Sequence, residues 1–377
     1  MSILFAESGS DATQGLEFYA TSTGTVASST TYAKTGPRSI KFDSTAGDIL
    51  AAIYAAITQK AAGRADLWVY FDDLPSTATL TFISAKLITT TIVQVDVTTG
   101  GVIQLRASSG SQLGSDGSTI QADKWYRFCL TWNITNTTTF TIKLYLNGSL
   151  DITANSGTLG NSSVNRIYFG WYSNSAGASK QNYFDDIYAD DISDNSDTGD
   201  IRITNKRPYS NGTTNGWGTT GTPSGYGSGQ ARYVNQQPLD ITAYVSTTDT
   251  ATTVEEYNIE GKSTGDYDLT NGATIIDSMG WWYSSSSGSF SFGLIMQGSS
   301  APTSHTTTKT IKKYLQGDTS YPAGNTDVGA DSGTAVGTKY VYECGILFIF
   351  NPPKTYPWIS SYEIPPHFFE KWEVIGY

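Results

Sequence analysis

Cysteine, histidine and methionine are scarce in this chain, with two, two and three copies among 377 residues, which leaves little material for redox or metal chemistry. Cys129 and Cys344 sit inside apolar segments, YRFCLTW and YECGILFIF. Each is expected as a buried free thiol, because free cysteine is among the most buried residue types. His305 in APTSHTTT and His367 beside Pro366 and Phe368 lie far from both cysteines, so no zinc-ligand spacing exists. The first histidine is expected in a loop and the second in terminal packing. Charge is short too: Asp, Glu, Lys and Arg make up 15% of residues, against the usual ~25%. Ser, Thr, Asn and Gly fill the deficit. A net charge of −11 without any basic stripe excludes nucleic acid and anionic membrane as partners, since both require a positive field over some face. No apolar run reaches the ~18 residues that cross a bilayer. The opening MSILFAESGSDA lacks the basic and apolar regions of a secretory signal, so synthesis in a cytoplasm is expected.

What the chain has in abundance is short stretches of alternating apolar and polar residues, rich in Val, Ile, Thr, Tyr and Phe and separated by Gly, Asn, Ser and Asp. That pattern predicts an all-β, sandwich or jelly-roll architecture. RADLWVYFDDLP, WYRFCLTWNI, TFTIKLYLNGSLD and NRIYFGWYS each read as a strand crossing one sheet. Gly100-Gly101 and Asn147-Gly148 stand between alternating runs, where a hairpin needs residues that tolerate positive φ. SMGWWYSSSSGSFSFGLIMQG predicts two strands around a Ser/Gly turn, and YVYECGILFIF, apolar almost throughout, a central strand buried on both faces. Residues 48–63 resist: their alanines and the spacing of Leu50, Ile53, Tyr54 and Ile57 favour a helix, while Ile53, Ala55 and Ile57 fit one face of a strand.

The length exceeds what one core sustains, so two domains are expected. The acidic, turn-forming DDISDNSDTGD near residues 190–200 divides them into 1–195 and 196–377. A long Gly/Ser/Thr-rich loop follows, carrying Trp217 and Tyr226; its isolated aromatics suggest that a neighbouring surface fixes it. The aromatic ending PPHFFEKWEVIGY, with Phe368, Phe369, Trp372 and Tyr377, is expected to dock on its own domain or on another subunit.

The first half, with GPRSIKF, WVYFDDLP, ADKWYRFCLTW…YLNGSL and a closing NYFDDIYADD, resembles the concanavalin A-like, laminin-G-like jelly roll. The closing FDDIY followed by GDIRITNKRPYSNGTTNGW is similar to a group of tailed-bacteriophage virion proteins, in which such a jelly roll precedes a second antiparallel β domain. Asp185, Asp186, Gly199, Asp200, Arg202, Arg207, Pro208 and Trp217 carry that likeness. It implies a strand at residues 48–63. It also implies a non-enzymatic component of capsid or tail, located in a virion assembled in the host cytoplasm, in contact with other virion proteins and with copies of itself.

Glucanases with this jelly roll carry an E-x-D-x-x-E strand, with two carboxylates about 5 Å apart for retaining hydrolysis. The chain has no such strand: VEEYNIEG, with Glu255, Glu256 and Glu260, lacks the central Asp. Asp185 and Asp186 are consecutive, so alternation sends them to opposite faces. Either Asp185, Asp186 and Asp190 supply oxygens to a calcium ion, or one of the pair bonds backbone at the sheet edge while the other is in solvent. No other cofactor is implied. Trp217, Tyr226 and Trp282 are the candidates to stack on sugar rings, which would make the protein a lectin-like binder of host surface glycans.

Overall fold

The computed structural model describes residues 3–8, 21–22, 24–44, 50–76, 79–172, 180–223, 225, 228–235, 242–249, 253–260, 269–270, 273–296, 299–315 and 327–353. Tyr226, His367, Phe368, Phe369, Trp372 and Tyr377 lie outside them. The described residues contain no α-helix.

Four antiparallel sheets account for the strands. Sheet one, of eight strands, runs Ser149–Ala154, Phe140–Leu146, Lys124–Ile134, Ala62–Phe71, Lys180–Asp190, Ser39–Ser44 and Thr25–Ser29, with Ile3–Glu7 also paired to Lys180–Asp190. Sheet two, of seven, runs Gln112–Leu113, Ile103–Ala107, Thr90–Val97, Leu80–Leu87, Val164–Tyr172, Leu50–Lys60 and Thr21–Ser22. These two sheets enclose one core. The strand Ala62–Phe71 shows how the sequence selects its face: Ala65, Leu67, Val69 and Phe71 point inward and are fully buried, while Arg64, Asp66, Trp68 and Tyr70 alternate to the outer side. Inside, Phe71, Phe82 and Phe128 meet edge to face at 4.8–6.2 Å, the arrangement preferred by aromatic quadrupoles.

The glycine-marked turns form as expected. Thr90–Val97 and Ile103–Ala107 pair across a turn in which Gly101 adopts φ +78°, and Asn147 and Gly148, at +50° and +84°, join Phe140–Leu146 to Ser149–Ala154. Residues 50–60 are a strand, not a helix. Helix propensity lost there because the segment pairs on both sides, with Val164–Tyr172 and Thr21–Ser22, and those ladders outweigh the few tenths of a kcal/mol per residue that alanine gains in a helix.

One core position breaks the pattern. Asn182 follows the parity of core residue Phe184 and pairs with Phe42 and Phe71, yet it is fully buried with neither side-chain polar atom hydrogen-bonded. An unsatisfied buried amide costs roughly 1–3 kcal/mol. Asn182→Leu, which keeps the branching, is therefore expected to raise the urea midpoint of this half; a lowered midpoint would show that the amide has a partner.

Sheets three and four are built from residues 202–351. Sheet three orders Gly218–Thr220, Tyr244–Thr247, Lys339–Asn351, Thr274–Ser286 and Thr310–Leu315, with Arg202–Lys206 on Lys339–Asn351. Sheet four orders Pro208–Asn215, Val254–Ile259, Asp327–Asp331, Phe290–Met296 and Ser299–His305. The expected central strand is Lys339–Asn351, buried over nearly its whole length. The two strands flanking the Ser/Gly turn form, but enter different sheets, Thr274–Ser286 in sheet three and Phe290–Met296 in sheet four. Between sheets three and four lies a core of Trp282, Phe292, Leu294, Val328, Cys344, Ile346 and Phe348, among others. The other face of sheet three is apolar as well, and a third cluster joins its Met279, Trp281, Leu347 and Ile349 to Ala6 and Tyr188 of the first half.

Candidate functional site

The closing strand Lys180–Asp190 carries the aspartates that the sequence singled out, and all three are fully buried. Alternation fails at the pair. Asp186 takes a left-handed φ of +51° and the register with Ala62–Phe71 slips between Asp185 and Tyr188, a bulge that turns both carboxylates toward one place. There, Asp185 Oδ2 accepts the backbone N–H groups of Lys34 and Thr35 at 2.9 and 3.0 Å, and Asp186 Oδ2 accepts the Thr35 hydroxyl at 2.7 Å. Asp186 Oδ1 takes the Ile203 N–H at 2.7 Å, and Arg202 lies 3.5 Å away. The expectation of one solvated aspartate is thus corrected: the bulge places both inside. Burial, and then the neighbouring Asp185 carboxylate, push Asp186 well above the ordinary carboxylate range, with Arg202 opposing. Arg202 and Lys34 both lie over the Trp68 ring, at 4.4 and 4.1 Å from its centroid.

Asp190 is engaged by Arg64 through Nε at 3.0 Å and Nη2 at 2.6 Å, and also accepts the Ile192 N–H. Next to it on the outer face of sheet one, Arg127 binds both Asp66 and Asp197. Thr198 is hydrogen-bonded to both Arg127 and Asp66. Tyr145 donates to the Asn195 carbonyl, Asn133 to that of Ser193, and Arg64 to that of Ser196. The segment 191–199 is thereby laid along sheet one by two buried arginines before it enters Arg202–Lys206. Burial raises Asp66 to about 6, against the pull of Arg127 and Thr198.

Calcium does not fit here. The oxygens of Asp185, Asp186 and Asp190 already accept N–H, O–H and guanidinium donors, and a cation site needs several oxygens turned toward one point. A second group, Asp66, Cys129 and Asp197, gathers ligand atoms within 4.8 Å of one another. Arg127 already supplies the positive charge at both carboxylates.

The sugar-stacking candidates are corrected in the same way. Trp217 is 3% exposed, donates its indole N–H to the Thr253 carbonyl at 3.0 Å, and packs against Phe292. Trp282 is fully buried and donates to the Gly329 carbonyl at 2.8 Å. Its neighbour Trp281, which alternation sends to the opposite face, is buried too, because Ala6 and Tyr188 of the first half cover the outer face of sheet three; its indole N–H donates to Asn205. Neither Trp217 nor Trp282 offers a ring face to a ligand. His305 is no loop residue: it ends the strand Ser299–His305, buried, stacked on Phe292 at 3.7 Å and 3.0 Å from the Ser284 hydroxyl.

A polar surface that sequence reading passed over lies on the outer face of sheet two. Arg106, Gln94, Ser84 and Tyr168 stand opposite one another across four adjacent strands, with Lys86 and Arg166 paired in the next row. Lys86 sits 4.6 Å from the Tyr168 ring centroid. Asp96, paired with Arg106 at 3.2 Å, accepts the Thr81 hydroxyl at 2.7 Å. The Ser84 hydroxyl is fully buried and unpartnered. The signal was in the alternation of these strands, but no single stretch concentrates the residues.

The family model described as the concanavalin A-like lectin/glucanases superfamily matches residues 56–188, which supply the paired core strands of sheets one and two. Residues 56–188 form a concanavalin A-like domain. Among solved structures, this chain is similar to the cellulose-induced protein Cip1 (20% identity, 45% of this chain and 87% of that one, TM-score 0.38). It is also similar to an endo-β-1,4-glucuronan lyase from the fungus Trichoderma reesei (13%, 51% and 96%, TM-score 0.39). A third likeness is to a PL-14 alginate lyase from Aplysia kurodai (14%, 44% and 87%, TM-score 0.35). No curated protein matches the chain by sequence.

Proposed function

We propose that the protein is a non-catalytic structural component of a tailed-bacteriophage particle, a stiff unit of capsid or tail that works through contacts with other virion proteins and with its own copies. The observation that supports this reading is how the junction residues are used. Those that resemble the phage proteins are spent on rigidity: Asp185 and Asp186 hold the 34–35 turn and the start of Arg202–Lys206, and Arg202 pairs with Asp200 at 2.8 Å. The Arg207 backbone is held by Glu260, and Trp217 anchors its loop. A subunit that transmits load between its halves gains from such a joint, whereas turnover would need some of these groups free. Quantitative mass spectrometry of purified virions against the major capsid protein tests it: hundreds of copies mean a shell component, a few to a few dozen a tail or vertex component. Absence from the particle overturns the proposal.

A second reading, a binder of host-surface glycan, is favoured by Arg106, Gln94 and Tyr168, which are partly exposed in one row and present hydrogen-bonding groups and one ring along a single sheet face, with the Ser84 hydroxyl buried between them. Titration with bacterial surface polysaccharide should show binding that Tyr168→Ala weakens at least tenfold. Binding indifferent to that change removes this face from consideration.

A further inference from the structure

Glu255, on the strand Val254–Ile259, is 1% exposed. Its Oε2 accepts the Trp217 N–H at 3.0 Å, at the turn where Pro208–Asn215 gives way to Gly218–Thr220. Oε1 has no hydrogen-bond partner; the buried Tyr257 hydroxyl interacts with the carboxylate but makes no hydrogen bond of ordinary geometry either. Glu256 neighbours it on the same strand, Cys344 lies beyond Tyr257 on Lys339–Asn351, and His305 stands behind Phe292, on which Trp217 packs. Among the described residues, no cation is prominent among the groups that act on Glu255. A buried carboxyl without a counter-charge is held most easily with its proton on.

We propose that Glu255 is a protonation latch for residues 211–220: its neutral carboxyl clamps the Gly216–Trp217 turn against sheet four, and its ionisation loosens that segment. The turn can leave without disturbing the main ladders, since Gly218–Thr220 pairs only at the edge of sheet three and Pro208–Asn215 only at the edge of sheet four. Burial raises the closed-state carboxyl to about 7, although the Trp217 and Gly216 N–H groups pull it down. An opened segment exposes the group, which then ionises near the ordinary glutamate value of ~4.3. The closed form is therefore fully favoured below about pH 4.3. It loses ground as pH rises to about 7 and changes little above that.

Hydrogen exchange read by mass spectrometry on peptides covering residues 211–220 tests the latch in the full chain. After correction for intrinsic base catalysis, the opening equilibrium of the natural protein should rise on the order of fiftyfold between pH 5 and pH 8.5. In Glu255→Gln, which keeps the shape and carries no charge, the same peptides should show no pH-dependent rise. A flat profile in the natural protein, or a rise retained in the glutamine variant, overturns the proposal. Should the variant not fold, the natural protein decides alone: the midpoint of its rise must fall between about pH 4 and pH 7 and be confined to these peptides, and a rise shared by the whole chain counts against the latch.

Discussion

Arg127→Met is expected to lower the stability of the concanavalin A-like domain by about 3–5 kcal/mol, the cost of leaving a buried carboxylate without its partner. Asp66 is fully buried and receives two guanidinium nitrogens from Arg127, which also holds Asp197 and Thr198. Methionine fills much of the volume and supplies none of those donors. Urea unfolding followed by tryptophan fluorescence measures the loss. Adding Asp66→Leu should recover most of it, because Asp197 retains some access to water and only Asp66 is stranded. A single variant within about 1 kcal/mol of the natural protein would mean that the network contributes no more than a surface ion pair.

Trp217→Ala should cost about 3–5 kcal/mol, the range for deleting a large buried aromatic side chain. The indole fills a place beside Phe292 and closes a hydrogen bond to Thr253, while Gln230 donates to the Trp217 carbonyl at 2.7 Å and Asn211 caps the turn at Gln230. Removing the ring unpins the whole excursion between Pro208 and Val234. Limited proteolysis should then cut there first, and the unfolding midpoint of the second half should fall. If stability is unchanged and only ligand binding suffers, the ring serves a ligand and not the core.

How much of this was legible follows from what each signal depends on. The hairpins at Gly101 and Asn147-Gly148 could be read because positive φ restricts residue choice at the turn itself. The strand Lys339–Asn351 could be read because burial on both faces leaves no polar alternation. At residues 50–60 the resemblance implied the strand that forms, while alanine content pointed to a helix because it reports local preference, and the ladder with Val164–Tyr172 comes from more than a hundred positions away. Asp185 and Asp186 misled because alternation assumes an unbroken register, and one left-handed residue abolishes it. Trp282 and His305 misled because what covers them, sheet four over Trp282 and Phe292 with Ser284 around His305, is not written in their own segments. The row on sheet two was invisible for the same reason: its four members come from four strands.

The strand Lys339–Asn351 has a consequence for how the molecule comes off the ribosome. It pairs with Arg202–Lys206, Tyr244–Thr247 and Thr274–Ser286, all translated before it. The nascent concanavalin A-like domain can close on itself once Asp190 has emerged, but sheet three stays open until this last strand arrives. Through that interval Arg202–Lys206 has no partner in the sheet, and Tyr244–Thr247 and Thr274–Ser286 each have one open side, exposing apolar residues such as Ile203, Val245 and Trp282, the state in which growing chains stick to one another and in which chaperones find their clients. A pause or truncation before residue 339 should therefore yield a finished first half trailing an insoluble second one.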